Sequence, residues 1–190
     1  MTKDKVVNTF NEEKEKGFSE LKEAIKNTEK IELSEVKQFE FNGNSKTLSQ
    51  SGNILNGYRF PLITDEKMLP KNGSYIYLFF TEDIESLKKN FEKIKKSHDG
   101  LPRFNKKNYE EKSHCVYVGS SENFSERIKE HLGEDHGDTY AIRFSRWLPP
   151  LDIKITCYYF NANVKDGVLK ILENRMWKQF KPILGQSGLR

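Results

Sequence analysis

This 190-residue sequence has little cysteine, no long apolar run and only a small charge excess. No run approaches the roughly 20 apolar residues that cross a bilayer, and the N-terminus lacks a signal-like apolar stretch, so we expect a cytoplasmic protein with no membrane partner. Cys115 and Cys157 lie in apolar segments without the paired spacing of a zinc site, which predicts buried free thiols. A net charge of +4 excludes a polybasic tail that binds any polyanion.

The order of the predicted elements indicates a mixed α+β protein with a small, antiparallel-type central sheet flanked by helices. An amphipathic helix is predicted over residues 11–30, with Phe18, Leu21 and Ile25 as its apolar stripe, and two short alternating runs over 36–63 suggest a hairpin. Further strands are predicted over 73–80, 114–119 and 152–160. Helices are predicted over 83–96, after residue 122 and over 168–180, with a loop over 97–112.

Glu173 is a carboxylate on the apolar face of the last predicted helix. Its neighbours at helical spacing are Leu169, Met176, Trp177 and Phe180. Burial of an ionised carboxylate costs several kcal/mol unless a metal, a cation or hydrogen-bond donors meet it. We therefore expect Glu173 to have a partner. For an isolated glutamate, pairing with an arginine or a place at the wet edge of the stripe is the more common arrangement.

Arg127 and His131 lie four residues apart on the helix whose buried stripe is Phe124, Ile128 and Leu132, so they share one face. An arginine beside the core can bind a phosphate through two nitrogens, and a histidine titrates near neutral pH. The pair therefore suits a phosphodiester centre. A solvated flank of the helix is the alternative for these two residues taken alone.

Three tyrosines are predicted to present hydroxyl groups from two neighbouring strands. Tyr75 and Tyr77 share a face of the first strand, and Tyr117 shares a face with Gly119 on the second. A tyrosine hydroxyl, with a pKa of about 10, is a weak base, but a nearby cation such as Arg127 makes it a better proton acceptor. Half-buried core tyrosines with a wet hydroxyl are the commoner arrangement.

Gly73-Ser74-Tyr75 and Tyr117-Val118-Gly119 resemble the paired signatures of the GIY-YIG nuclease superfamily, which includes homing endonucleases, excision-repair nucleases and some restriction enzymes. The family's arginine, histidine, glutamate and proline follow in order as Arg127, His131, Glu173 and Pro182. The resemblance extends from Gly73 to about Gly188. Two tripeptides alone are weak indications, but the whole ordered set is specific.

The sequence departs from the family's pattern in two places. The asparagine that usually follows the proline by three residues is Gly185 here, so its polar contact is missing or relocated. The 41 residues between Tyr75 and Tyr117 are more than the family tends to have, and residues 81–113 are predicted to be an insertion. Tyr77 is an alternative to Tyr75 in the first signature because both lie on the same strand face.

The resemblance implies a metal-dependent endonuclease that hydrolyses DNA phosphodiester bonds. Glu173 would hold one Mg²⁺ or Mn²⁺, since a lone carboxylate with substrate oxygens and water suits hard, hydrated cations. Tyr117 or Tyr75 would accept the proton of the attacking water. Arg127 would offset charge on the phosphate, and His131 would orient the water, the phosphate or a tyrosine.

The expected organisation is an N-terminal extension over residues 1–72 and a nuclease domain over residues 73–190. Ser120 and Ser121 are predicted to cap the following helix, with phosphate binding as the alternative. The residues expected to contact nucleic acid are Tyr77, Gly119, Ser121, Lys88, Lys89, Lys106 and Lys107. A homodimer would allow double-strand cleavage. The alternative functions are a catalytically weak or inactive binding module of the same fold and an RNA-directed nuclease.

Overall fold

The computed structural model describes residues 12–16, 18–20, 22, 23, 26, 32–42, 73–95, 101–133, 141–160, 164 and 166–187. Its strands are β1 (Leu33–Asn42), β2 (Ser74–Phe80), β3 (Cys115–Ser121) and β4 (Asp152–Phe160). Its helices are α1 (Ile84–Lys95), α2 (Lys106–Glu110), α3 (Phe124–Leu132) and α4 (Asp166–Phe180), with a 3₁₀ turn at Phe144–Arg146. The predicted α+β class, an antiparallel sheet flanked by helices, is confirmed.

The four strands form one antiparallel sheet in the order β1-β4-β2-β3. β2 is an inner strand and, apart from Ser74, its residues are all aromatic or aliphatic, as expected for a strand that is covered on both faces. The pairing of β2 with β3 sets Tyr77 opposite Gly119 and Tyr75 opposite Ser121. This register decides which tyrosine lies beside the glycine of the second signature.

Alternate residues of β2 point into two different cores because side chains alternate along a strand. Tyr75, Tyr77 and Phe79 lie in the larger core, together with Leu87 and Phe91 of α1 and the apolar stripe of α3. The residues between them lie in a smaller core whose other wall is α4. The predicted insertion 81–113 thus supplies buried residues to the main core.

The N-terminal region reaches the central sheet. β1 falls within the predicted extension 1–72, and it pairs with β4 along its whole length. The first strand of the predicted hairpin is confirmed, and the second run, 56–63, lies outside the described residues. Residues 12–16, 18–20, 22, 23 and 26 are helical, as predicted, and Phe18 is exposed.

The predicted loop 97–112 contains the short helix α2, so a loop throughout was wrong. Five residues are too few to show helical periodicity, and tertiary contacts hold this turn: the Asn108 side chain donates to the Pro182 carbonyl at 2.7 Å. Both cysteines are buried and free, as predicted. Within the described ranges, we find no helix whose length and apolar character would let it span a membrane.

Candidate active site

The end of β3 and the start of α3 form the frame of the site. Asn123 caps α3 by accepting a hydrogen bond from the Glu126 amide at 3.3 Å, and the Asn123 amide donates to Ser121 Oγ at 2.9 Å. The Glu126 carboxylate pairs with Lys129 at 3.0 Å instead of returning to the cap, so the helix has half of a capping box. Gly133, at φ 124°, ends the helix. The predicted strand, turn and helix are therefore present.

Tyr77, His131 and Arg127 meet in a buried hydrogen-bonded cluster. The Tyr77 hydroxyl lies 2.9 Å from Nε2 of His131 and accepts a hydrogen bond from Nε of Arg127 at 3.3 Å. On the other side of the ring, the Ile142 amide donates to His131 Nδ1 at 3.1 Å. Because Nδ1 accepts, the neutral imidazole carries its proton on Nε2 and donates it to Tyr77. The Tyr77 oxygen thus accepts two hydrogen bonds.

The pKa values of this cluster follow from burial. Desolvation, aided by the Arg127 charge, holds the pKa of His131 well below its usual range, so the imidazole is neutral. Desolvation and the neighbouring Tyr117 raise the pKa of Tyr77 well above 10, although Arg127 opposes this shift. His131 therefore acts as a neutral hydrogen-bond donor in the fold, and Tyr77 as a neutral phenol.

Tyr117 is half-buried and packs beside the rings of this cluster. Its ring centroid lies 4.9 Å from that of His131 and 6.4 Å from that of Tyr77. Burial raises the pKa of Tyr117, the charge and hydrogen bond of Arg127 lower it, and the charge of Glu173 raises it. The charges of Arg127 and Glu173 therefore act in opposite directions on the pKa of the Tyr117 hydroxyl.

Glu173 of α4 approaches from the other side of β3. Ser120 Oγ donates to Glu173 Oε2 at 2.5 Å, and the half-buried carboxylate is close enough to raise the pKa values of Tyr77 and Tyr117. The expectation that Glu173 has a partner is confirmed, and Ser120, predicted to be a capping residue, is one such partner.

Glu130 is a site residue that the sequence analysis missed. Its Oε2 is ion-paired with Nη1 of Arg127, and both side chains are about one fifth exposed, at 18% and 22%. Burial opposes the charge of Arg127, but Tyr77, Tyr117 and Glu130 outweigh it, so the pKa of Arg127 lies above its ordinary value. The spacing of three residues on one helix was a signal for this pair.

Gly119 allows Tyr77 to approach β3. A Cβ at Gly119 would lie 2.5 Å from Oη and 2.6 Å from Cζ of Tyr77, a distance that side chains do not tolerate. Glycine is thus needed for close packing inside the sheet. Gly119 and Tyr77 are both buried, and Tyr77 is 0% exposed, so neither presents the surface to nucleic acid that the sequence predicted.

Of the two candidate tyrosines on β2, Tyr77 is the one whose hydroxyl meets Arg127 and His131. Tyr75 packs against Phe124 at 5.5 Å and Tyr159 at 5.1 Å between ring centroids, and burial raises its pKa. The structure therefore brings together Tyr77, Tyr117, Arg127 and His131, while Glu173 is held by Ser120 on the other side of β3.

The lysines predicted to track nucleic acid lie on α1 and α2. Lys88 Nζ lies 4.3 Å from the ring centroid of Tyr109, and Lys89 is exposed. Lys106 and Lys107 are exposed and form weak pairs with Glu110, the last residue of α2, at 3.6 Å, and Glu111, which follows it, at 4.0 Å. Exposed pairs of this kind contribute little to stability, so a polyanion can compete for these lysines.

The donor set at Glu173 suits a mainly hydrated cation. Among the residues that the structure describes, no group of three or more histidine, cysteine, aspartate or glutamate side chains could enclose a metal ion. Magnesium is commonly held through one or two carboxylates with substrate phosphate and water. Glu173, half-buried and held by Ser120, meets that minimal requirement.

The segment after α4 is tied to residues near α2. Asn105 Nδ2 donates to the carbonyl oxygens of Pro182, at 3.0 Å, and Gly185, at 2.9 Å. The carbonyl of Gly185 therefore accepts a hydrogen bond from an asparagine amide that lies 80 positions earlier in the chain.

The cluster combines a desolvated guanidinium, two phenols and a carboxylate that accepts a hydrogen bond from a serine. Comparison of the chain with protein-family models, with curated proteins and with solved structures finds no match in any of the three. What the site can do therefore follows from the chemistry of these side chains. Their arrangement can bind a phosphate at the arginine and move a proton at a phenol.

Proposed function

We propose that this chain is a metal-dependent endonuclease that hydrolyses DNA phosphodiester bonds at the cluster of Tyr77, Tyr117, Arg127, His131 and Glu173. The observation that carries the proposal is the position of Arg127, whose guanidinium contacts both phenols while Glu173 approaches the same phenols from α4. Metal-dependent hydrolysis of a phosphodiester requires a cation for the phosphate, a proton acceptor and an anchor for a hydrated metal ion. Arg127, the two phenols and Glu173 offer these three groups around the end of β3.

Arg127 is the phosphate-binding group in this proposal. The hydrogen bond from its Nε to Tyr77 and the ion pair of Nη1 with Glu130 orient the planar guanidinium. An oriented arginine stabilises negative charge on phosphate oxygens better than a mobile one because less conformational freedom is lost on binding. Its raised pKa keeps it charged at any working pH.

Tyr117 is the proton acceptor, and Tyr77 is a positioning residue. Tyr77 is 0% exposed and its oxygen already accepts hydrogen bonds from His131 and Arg127, whereas Tyr117 is only half-buried. Only the phenolate form of Tyr117 can accept the proton of the attacking water. Burial raises the pKa of Tyr117 and disfavours the phenolate, whereas the charge of Arg127 lowers that pKa and favours it. His131 donates to Tyr77 and keeps that phenol in place.

Glu173, supported by Ser120, would hold the divalent ion. When bound, Mg²⁺ or Mn²⁺ would supply charge stabilisation to the phosphate and lower the pKa of a coordinated water. Burial is the main cause of the raised pKa of Tyr117, and the charge of Glu173 raises it further, so neutralising that carboxylate also favours the phenolate. The same carboxylate therefore serves both as anchor and as an electrostatic control on the proton acceptor.

A binding module that has lost turnover is the second candidate. The desolvated arginine and the half-buried carboxylate favour catalysis, since a module that only binds nucleic acid gains more from exposed cations than from buried ones. Exposed Lys106 and Lys107 would serve either function. DNA is the preferred substrate by the family resemblance, and RNA is the alternative.

Cleavage of supercoiled plasmid, single-stranded DNA and RNA by the purified protein, with Mg²⁺ and then Mn²⁺, tests this proposal. Glu173→Ala should abolish metal-dependent cleavage, and the matched control Glu92→Ala, which removes an exposed carboxylate of α1, should leave it unchanged. Salt-dependent DNA binding without cleavage of any substrate by the wild type would favour the binding module. Preferential cleavage of RNA would replace DNA as the substrate.

A further inference from the structure

The ring of Tyr117 rests against a glycine whose position is set by another part of the chain. A Cβ at Gly185 would lie 3.0 Å from Cε2 and 3.2 Å from Cδ2 of Tyr117, so the backbone of Gly185 is in close contact with this ring. Gly185 has φ +90°, a conformation that favours glycine. The ring of Tyr117 therefore packs against Gly185 as well as against the rings of Tyr77 and His131.

The segment that ends in Gly185 is held from two sides. Toward β3, the amides of Ile183 and Leu184 donate to the carbonyls of Cys115 and Val116, both at 2.9 Å. These bonds attach a short stretch of backbone to the start of β3. They place the segment beside Tyr117, but they end one residue before Gly185.

On the opposite side, Asn105 makes most of the contacts that complete this arrangement. Its backbone amide donates to Ile183 O at 2.7 Å, and its side-chain amide donates to the carbonyls of Pro182 and Gly185. The Gly185 amide in turn donates to Arg103 O at 2.8 Å. An asparagine NH₂ group has two donors, and here each has a carbonyl acceptor.

We propose that Asn105 is a positioning residue for the nuclease site, which holds Gly185 against the ring of Tyr117 and thereby orients that phenol toward the substrate. The role of Tyr117 rests on the proposed function, but the contact between Asn105, Gly185 and the ring does not. Alanine at position 105 removes both side-chain donors, so the Gly185 carbonyl loses the hydrogen bond that it accepts from Asn105, and the turn at φ +90° loses a constraint. Misplacement of a catalytic group by about 1 Å can cost roughly 100-fold in rate.

The test compares Asn105→Ala with Asn90→Ala. The control removes a single side-chain hydrogen bond from an asparagine amide to the Ser86 carbonyl, within α1. In NMR spectra, the α-proton shifts of Gly185 report the ring current of Tyr117. We expect Asn105→Ala to move these shifts toward random-coil values and to alter the Tyr117 ring signals, and Asn90→Ala to leave both unchanged.

In cleavage assays, Asn105→Ala should lower kcat by about 10–100-fold with KM within about twofold, because the proton acceptor and not substrate binding is affected. A folded Asn105→Ala with wild-type Gly185 and Tyr117 signals would overturn the proposal, as would equal effects of Asn90→Ala. If the alanine variant does not fold, Asn105→Ser, which keeps one donor, takes its place. Failure of both to fold would assign Asn105 a role in folding and overturn the proposal.

The two arms separate this inference from the proposed function. A wild-type protein without cleavage activity would refute the nuclease, while the NMR comparison would still decide whether Asn105 positions the ring. Perturbed NMR signals in Asn105→Ala with unchanged kcat would show that the ring has moved without an effect on the reaction. That result would refute Tyr117 as proton acceptor and, with it, a role of Asn105 in the nuclease site.

Discussion

Replacement of Tyr77 by phenylalanine removes one oxygen from the centre of the candidate site and leaves the ring in place. In the wild type, that oxygen accepts hydrogen bonds from His131 Nε2 at 2.9 Å and Arg127 Nε at 3.3 Å. His131 is 0% exposed, so water cannot replace the lost acceptor without a change in packing. The variant therefore buries an unsatisfied N–H group.

The expected loss of stability is about 2 kcal/mol. A buried donor without an acceptor costs about 1–3 kcal/mol, and the longer bond from the partly exposed Arg127 adds at most a fraction of that. The imidazole cannot escape by changing tautomer, since the Ile142 amide occupies Nδ1. For a domain of this size, about 2 kcal/mol corresponds to a Tm decrease of roughly 4–8 °C.

Urea unfolding followed by circular dichroism measures this loss as a shift in the midpoint at constant slope. The matched control is Tyr109→Phe, which also removes one hydroxyl, but from a solvent-exposed hydrogen bond to Glu85 at 2.7 Å. Water can replace this bond at the surface, so the control should lose clearly less stability.

Equal effects of Tyr77→Phe and Tyr109→Phe would refute the reasoning, because they would mean that His131 does not depend on the Tyr77 hydroxyl. In cleavage assays, Tyr77→Phe should reduce kcat as well, since Arg127 loses the acceptor that orients its Nε. A stability loss without any change in kcat would separate the structural bond from the proposed role of Arg127.

Two further predictions concern the same cluster. Burial holds the pKa of His131 in the folded protein below its unfolded value of about 6.5, so only the unfolded chain binds a proton at this residue as the pH falls below that value. The free energy of unfolding is therefore unaffected by His131 above about pH 6.5 and decreases below it, by up to about 1.4 kcal/mol per pH unit. Urea unfolding at pH values from 7 to 5 should show a smaller loss of stability with falling pH for His131→Gln than for the wild type, and the same loss as the wild type for the control His114→Gln at an exposed site. Gly119→Ala should destabilise the fold by about 1–3 kcal/mol because the new Cβ would clash with Tyr77. The control Gly167→Ala has open space around its Cβ and should be neutral or stabilising. Equal Tm values for the two variants would contradict the close packing at Gly119.

Much of the secondary structure followed from the sequence because its signals are local. The predicted bounds of β2, α1, β4 and α4 agree with the structure to within two residues, since each element has a clear hydrophobic period and turn residues at its ends. The short helix α2 has no such period. Its stability comes from Asn108 and Asn105, which contact residues more than 70 positions later in the chain.

The sequence placed Arg127 and His131 on one helix face, and it indicated that Glu173 required a partner. Those conclusions depend on helical spacing and on the cost of burying a charge, and both can be judged from neighbouring residues. The identity of the partner could not, because Ser120 lies 53 positions away on another element. A serine next to the second signature gave no local sign of a contact with α4.

The choice between Tyr75 and Tyr77 shows what only the tertiary structure decided. Both tyrosines lie on one face of β2 because strands have a period of two, so the sequence treated them as alternatives. The pairing register sets Tyr77, and not Tyr75, opposite Gly119, where the missing side chain leaves room for the hydroxyl. The sequence by itself determined which chemical groups are present and which face they share. Register and packing between distant elements decided which of them meet, because those contacts depend on the fit of the whole core.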